Sequence, residues 1–291
     1  MVTVVPVPAT QVKASAFILG VDKDRKAPGL KALGLDEGAD MAVHALLANK
    51  DVALPFKTVR TLPSSKGWVI FVGLGDVKAL TQEKLGTLAN LGARAAAGLG
   101  CKVAATTLVL DTWKNAEAAQ AVTHGCVIGA LDFDQWKSKK GETPKKGEPA
   151  PPKPVKLETL QVLVPAGAAG NAAKKAIERA ALVSEAVNDS RILSNTPANI
   201  ATPSFLAAAA SERGKKNGFT VSIKGREQLR KEGYNALCGV AQGSINEEKL
   251  ITMDYHPKGA KKTLVVVGKG VCFDSGGISL KPGDKMWEMK Y

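Results

Sequence analysis

Nowhere in the 291 residues does an apolar run reach the ~18 residues that a membrane-spanning helix needs. The opening Met1-Val2-Thr3-Val4-Val5-Pro6 has neither the basic start and long apolar stretch of a signal peptide nor the Arg-rich amphipathic pattern of a transit peptide. The expectation is a cytoplasmic protein with no membrane partner. Cysteine is scarce: Cys101, Cys126, Cys238 and Cys272 stand far apart in apolar or Gly-rich surroundings, with no C-x-x-C pair. That spacing argues against a zinc knuckle or redox dithiol and predicts buried, reduced thiols. Histidine is scarcer still. His44, His124 and His256 are too scattered for a His-based metal cluster or a Ser-His-Asp order, so any metal chemistry must rest on carboxylates and some less usual ligand. Two G-x-G pairs, Gly73/Gly75 and Gly268/Gly270, lack the third glycine of a dinucleotide fingerprint, its place being taken by Lys78 and Phe273. A G-x-x-x-x-G-K-[ST] phosphate loop is missing as well.

What is present suits a globular chain: 45% hydrophobic, 23% charged and long enough for two domains. The net charge is +13, of which a net +5 falls between Lys137 and Lys156. Five prolines there exclude helix and favour an extended, solvated segment. Such a stretch suits a basic arm for nucleic acid or an acidic surface. A solvated linker or hairpin tip is the favoured reading, because no aromatic residues are interleaved for base stacking.

Upstream of this insert, β-type runs at Ala16–Val21, Trp68–Val72 and Val103–Leu110 alternate with helical patterns. Thr81 is placed to cap a helix through Leu99, with Leu85, Leu88, Ala95 and Leu99 on one face. A helical pattern around Ala116–Val122 and a strand at Leu157–Val164 close an α/β domain. A second unit opens with a helix over Ala172–Leu193. Thr202-Pro203 starts another, Pro203 sitting where its missing N–H costs nothing, and Gly218 stops it. A strand (Phe219–Ile223), a charged helix (Arg226–Glu232) and strands at Leu250–Tyr255 and Thr263–Val267 follow.

The informative segment is V-V-V-G-K-G-V-C-F-D-S-G-G-I-S-L-K-P-G-D-K-M-W-E-M-K-Y, residues 265–291. Lys269 leaves the end of an apolar strand, where α/β sheets place their ligands. Asp274 precedes Gly276-Gly277, whose glycines admit close backbone approach, and Lys281 lies seven residues on. Two lysines around one aspartate in a Gly-rich apolar stretch suggest a pocket in which anionic or metal charge accounts for the lysines. On spacing alone, a structural Lys269–Asp274 ion pair beside an ordinary glycine loop stands equal to the catalytic reading. Met286 and Met289 by themselves read as core.

The run G-K-G-V-C-F-D-S-G-G-I-S-L-K-P resembles the signature of the cytosolic leucine aminopeptidase family, which includes bacterial aminopeptidase A. The likeness extends to Asn195–Asn199, Ala236–Ser244 and Tyr255–Gly259 for that family's catalytic domain. Trp68–Gly75 with the Thr81 helix, and Phe133–Ser138, resemble its N-terminal domain. The resemblance implies a macro-like α/β domain over 1–165, carrying the basic insert at 137–156. Residues 166–291 would then be the N-terminal, incomplete part of an α/β metallo-aminopeptidase domain. It implies hydrolysis of the first peptide bond of substrates with a free N-terminus, Leu-like residues preferred, with two divalent ions: zinc or manganese foremost, magnesium or cobalt admissible. Lys269, as a neutral amine, and Asp274 would be metal ligands. Lys281, protonated, would be the catalytic group stabilising the oxyanion. Asp274, Lys281 and Met289 would contact substrate, Met289 lining the pocket for the first side chain. A homohexamer is implied too.

The family pattern continues past Tyr291 with three further carboxylate ligands and an arginine, so the expectation is a fragment of a longer enzyme, inactive alone. A further expectation is an unpaired apolar edge at Thr263–Val267 that leaves the isolated second domain aggregation-prone or partly molten. A DNA-binding role through Lys137–Lys156 and a non-enzymatic structural paralogue are the alternatives.

Overall fold

The structure is a computed structural model that describes residues 2–35, 41–136 and 156–290. The chain divides into two compact units, Met1–Asp189 and Ser190–Tyr291. The first is built on strands β1 (Thr3–Val7), β2 (Ala16–Asp22), β3 (Val59–Ser64), β4 (Gly67–Gly75), β5 (Val103–Thr106) and β6 (Thr159–Leu163). They form one sheet in the order β1-β6-β5-β2-β4-β3, parallel except for β3, which runs antiparallel to β4. Each edge strand contains a proline, Pro6 in β1 and Pro63 in β3. Edges are where a residue without an N–H is tolerated and where it discourages pairing with another chain.

The central strands read as unbroken apolar runs because both faces are covered. Ile18, Ile70, Val72, Leu160 and Val162 face one core, and Phe17, Leu19, Val69, Phe71 and Leu163 face the other. The helices are α1 (Gly29–Ala32), α2 (Met41–Ala48), α3 (Gln82–Gly98), α4 (Leu108–Asp111), α5 (Ala116–Gly129) and α6 (Gly167–Asn195). α3, α5 and the first turns of α6 cover the first face, through Leu85, Leu88, Val122, Ala173 and Ile177. Leu30 and Leu33, at the end of α1, and Val43 of α2 cover the second. Thr81 caps α3 as expected, its Oγ1 accepting the Lys84 N–H at 3.2 Å. Gly73 has a packing role: a Cβ there would sit 2.1 Å from the Pro55 carbonyl oxygen.

The expected strand Val103–Leu110 is shorter. It stops at Thr106 and turns into α4, because the Leu108–Asp111 turn places the Asp111 carboxylate under the backbone of neighbouring segments. The basic insert lies outside the described residues except Lys156, whose ammonium pairs with Asp132 at 2.9 Å on the surface. Cys101, Cys126 and Cys238 are buried and free as expected; Cys272 is only half-buried, because it lies in an open segment. None of the described helices is long and apolar enough to cross a membrane.

The second unit holds α7 (Pro203–Asn217), β7 (Thr220–Lys224), α8 (Arg226–Lys231), α9 (Asn235–Val240) and β8 (Leu250–Asp254). Thr202 caps α7 by accepting the Phe205 N–H, and Gly218 ends it at φ 75°, a left-handed position that glycine takes without steric cost. β7 and β8 pair antiparallel, Thr220 opposite Asp254. The expected strand Thr263–Val267 does not form. Its residues Leu264 to Val267 are between 75% and 91% exposed, and none of the described strands pairs with them. A β-ladder requires a partner for every backbone group, so propensity alone leaves this run extended and bare.

Candidate functional site

Asp274 is the centre of the 269–289 segment. Its Oδ1 accepts the Gly276 N–H at 2.9 Å and its Oδ2 accepts the Lys281 ammonium at 3.1 Å. The turn that returns Lys281 to Asp274 depends on glycine. Gly276 sits at φ 93°, and a Cβ there would lie 2.2 Å from the Ser279 carbonyl oxygen; Gly277 follows at φ 64°. The Lys281 N–H donates to the Ser275 carbonyl at 2.9 Å and closes the loop.

A 3-10 helix over Met286–Lys290 brings up the other side. The Asp274 N–H donates to the Met289 carbonyl at 3.1 Å, and the Lys281 Nζ reaches the Met289 Sδ at 3.4 Å. Asp274, Lys281 and Met289 therefore form one constellation. Its ionic state follows from its contacts: the Gly276 N–H first, then the Lys281 hydrogen bond and charge, hold the Asp274 carboxyl below its usual range, with a weaker Coulombic pull from Lys269.

Lys269 stands apart. It lies in the exposed 263–270 segment, and among the described residues it makes no ion pair with Asp274, so the structural-pair reading fails: Lys281 has taken that carboxylate. Met286 and Met289 are half-buried rather than core. Among the described residues no three His, Cys, Asp or Glu side chains cluster to hold a metal. One carboxylate and one amine are donors of the right kind, but fewer than the four or more that a protein-bound dication takes.

Two buried carboxylates escaped the sequence reading. Asp111 accepts the N–H groups of Gly20 (2.7 Å) and Gly29 (2.6 Å) and the Thr107 hydroxyl (2.6 Å); burial raises its pKa to about 6 against those bonds. It ties the end of β2 to α1 and α4. Glu248 accepts Nε of Arg226 at 2.8 Å, a bond that lowers its pKa to about 2. An aspartate closing T-T-L-V-L-D was the available signal for the first; the second had none.

By fold this is a mixed α/β protein with a parallel-dominated sheet, and the glycine-turned Asp274–Lys281 loop is its most distinctive chemistry. The chain belongs to the cytosol aminopeptidase family: the model of that family's N-terminal domain matches residues 18–140 and that of its catalytic domain residues 188–291. A probable cytosol aminopeptidase of Syntrophotalea carbinolica is 34% identical over 97% of the chain and 56% of the relative's length. Among solved structures, the bottromycin maturation enzyme BotP in complex with Mn shares the fold with a TM-score of 0.72 at 24% identity, over 96% of this chain and 52% of that one. A mutant of tomato leucine aminopeptidase does so at 0.67 and 22% identity, over 87% and 50%. The chain thus spans about half the length of these proteins.

Proposed function

We propose that the Asp274–Lys281–Met289 constellation, with Lys269, is part of a metal-dependent aminopeptidase centre that removes Leu-like residues from peptides with a free N-terminus. The observation that carries the reading is the convergence of Asp274, Lys281 and Met289 on one loop within a chain of this family. Lys269 and Asp274 would hold two divalent ions, manganese or zinc, together with ligands that are not among the described residues. The manganese complex of BotP makes manganese the first ion to try. When bound, such ions supply Lewis acidity toward the peptide carbonyl and acidify a water.

The chain's own contribution is electrostatic and steric. Lys281, held beside Asp274, donates to the carbonyl oxygen as negative charge builds there, a contribution of the kind that costs about 10²–10³ in kcat when one donor is removed. Met289 offers a deformable apolar wall to an aliphatic side chain. The complete enzyme is a homohexamer in this reading, and the 291 residues alone turn over no substrate. The test is manganese binding followed by electron paramagnetic resonance in the protein carrying the whole catalytic domain. Asp274→Asn and Lys269→Met each weaken binding at least about tenfold; unchanged affinity in both variants overturns the assignment.

A further inference from the structure

Away from that loop, the first unit contains a cleft of about 610 Å³ between α3, α5 and α6, within the range of small-molecule sites. It exists because its floor is made of small residues, Gly86 on α3, Ala121 and Gly125 on α5, and Ala180 on α6. A Cβ on Gly125 would lie 2.0 Å from the Gly86 carbonyl oxygen, so the helices meet backbone to backbone below the cleft. Above the floor the wall is partly apolar, Ile128 and Val183, and partly polar, His124 with the charged Glu83 and Arg179.

The tautomer of His124 is fixed by its neighbour. The buried Ser184 hydroxyl donates to the Ala180 carbonyl at 2.6 Å, so its one proton is committed, and it accepts from Nδ1 of His124 at 2.6 Å. With the proton on Nδ1, the neutral ring offers Nε2 as an acceptor. Because Ser184 spends its proton on a carbonyl, the pair is not a nucleophile and base. The cleft therefore offers two acceptors, the Glu83 carboxylate and Nε2 of His124, one cation, the Arg179 guanidinium, and an apolar wall. Among the described residues neither Glu83 nor Arg179 is engaged in an ion pair.

We propose that this cleft binds a free α-amino acid with an aliphatic side chain, its carboxylate on Arg179, its ammonium between Glu83 and His124, and its side chain against Ile128 and Val183. Bidentate pairing with a carboxylate is what a guanidinium does best, and a zwitterion satisfies both signs of charge where a simple anion or cation would leave one facing its like. The inference goes beyond the peptidase reading and does not depend on it, since no cleft residue belongs to the 269–289 segment.

The test is nuclear magnetic resonance of the whole chain labelled with ¹⁵N-histidine, in which only His44, His124 and His256 give signals, His124 being assigned by His124→Gln. L-leucine shifts the His124 imidazole nitrogens saturably, with a Kd of about 1 mM or tighter. 4-Methylpentanoate, which lacks the ammonium, and 3-methylbutylamine, which lacks the carboxylate, each bind at least about tenfold more weakly. Arg179→Ala weakens leucine about tenfold without changing the thermal melt, as suits an exposed side chain, and Arg179→Lys restores part of the loss. Lys281→Ala in the presence of a chelator leaves binding unchanged, which separates this site from product held at the proposed peptidase centre. His124 signals that do not move at about 50 mM leucine, or equal binding of leucine and 3-methylbutylamine, overturn the proposal.

Discussion

Replacing Asp111 with alanine removes the acceptor of two backbone N–H groups, those of Gly20 and Gly29, and of the Thr107 hydroxyl. The hydroxyl can turn to the Ile18 carbonyl, 3.4 Å away, but the amides cannot turn. The site is nearly dry, with Asp111 6% exposed, and a buried unsatisfied donor costs about 1–3 kcal/mol, so leaving both amides unpaired in Asp111→Ala should destabilise the first unit by about 2–6 kcal/mol. Asp111→Asn keeps one amide satisfied and should cost about half as much. The wild-type charge adds a pH signature. Burial raises the pKa from 3.8 to about 6, so between those values the folded state binds a proton that the unfolded state releases. The resulting stability is fully present below pH 3.8 and is lost as the pH rises to about 6, a change of about 3 kcal/mol at 1.36 kcal/mol per unit. Urea titrations followed by tryptophan fluorescence at pH 4 and pH 7 measure both effects, Trp68, Trp113 and Trp136 lying in this unit. A cost below about 1 kcal/mol, or the same pH dependence of this transition in Asp111→Asn as in the wild type, would overturn the role assigned to the Asp111 carboxylate.

Two further outcomes follow from packing. Gly125→Ala forces α3 and α5 apart, its Cβ otherwise 2.0 Å from the Gly86 carbonyl oxygen, and should lower the urea midpoint by an amount equivalent to about 1–3 kcal/mol. Gly98→Ala, with nothing within 4 Å, should be neutral or slightly stabilising, by up to about 1 kcal/mol. In the second unit the bare run Leu264 to Val267 should bind a hydrophobic dye. Val265→Lys with Val267→Lys should cut that fluorescence and leave the melt of the first unit unchanged.

The legibility of these features in the sequence follows their physical origin. Strands β2 and β4 and the caps at Thr81 and Thr202 were readable because burial on both faces and capping chemistry write themselves into local sequence. β1 and β3 were not, since edge strands with a proline resemble loops in composition. Thr263–Val267 shows the converse: its β-propensity is plain, yet a strand is a property of a pair and no described strand lies beside it. At the candidate site, Asp274 and Lys281 were legible as a motif. The reach of Lys281, rather than Lys269, to that carboxylate depends on the left-handed turn at Gly276 and Gly277, which spacing alone does not specify.

The proposed peptidase role of the Asp274–Lys281 loop is tested most directly by the steady-state release of leucine from leucine amide. The measurement is made with the protein carrying the whole catalytic domain, loaded with manganese, and with its Lys281→Ala variant. Chelation should abolish activity, and the variant's kcat should fall about 10²–10³-fold with a much smaller change in KM, because the ammonium acts on charge that develops only in the transition state. Activity that survives both chelation and Lys281→Ala would contradict that role.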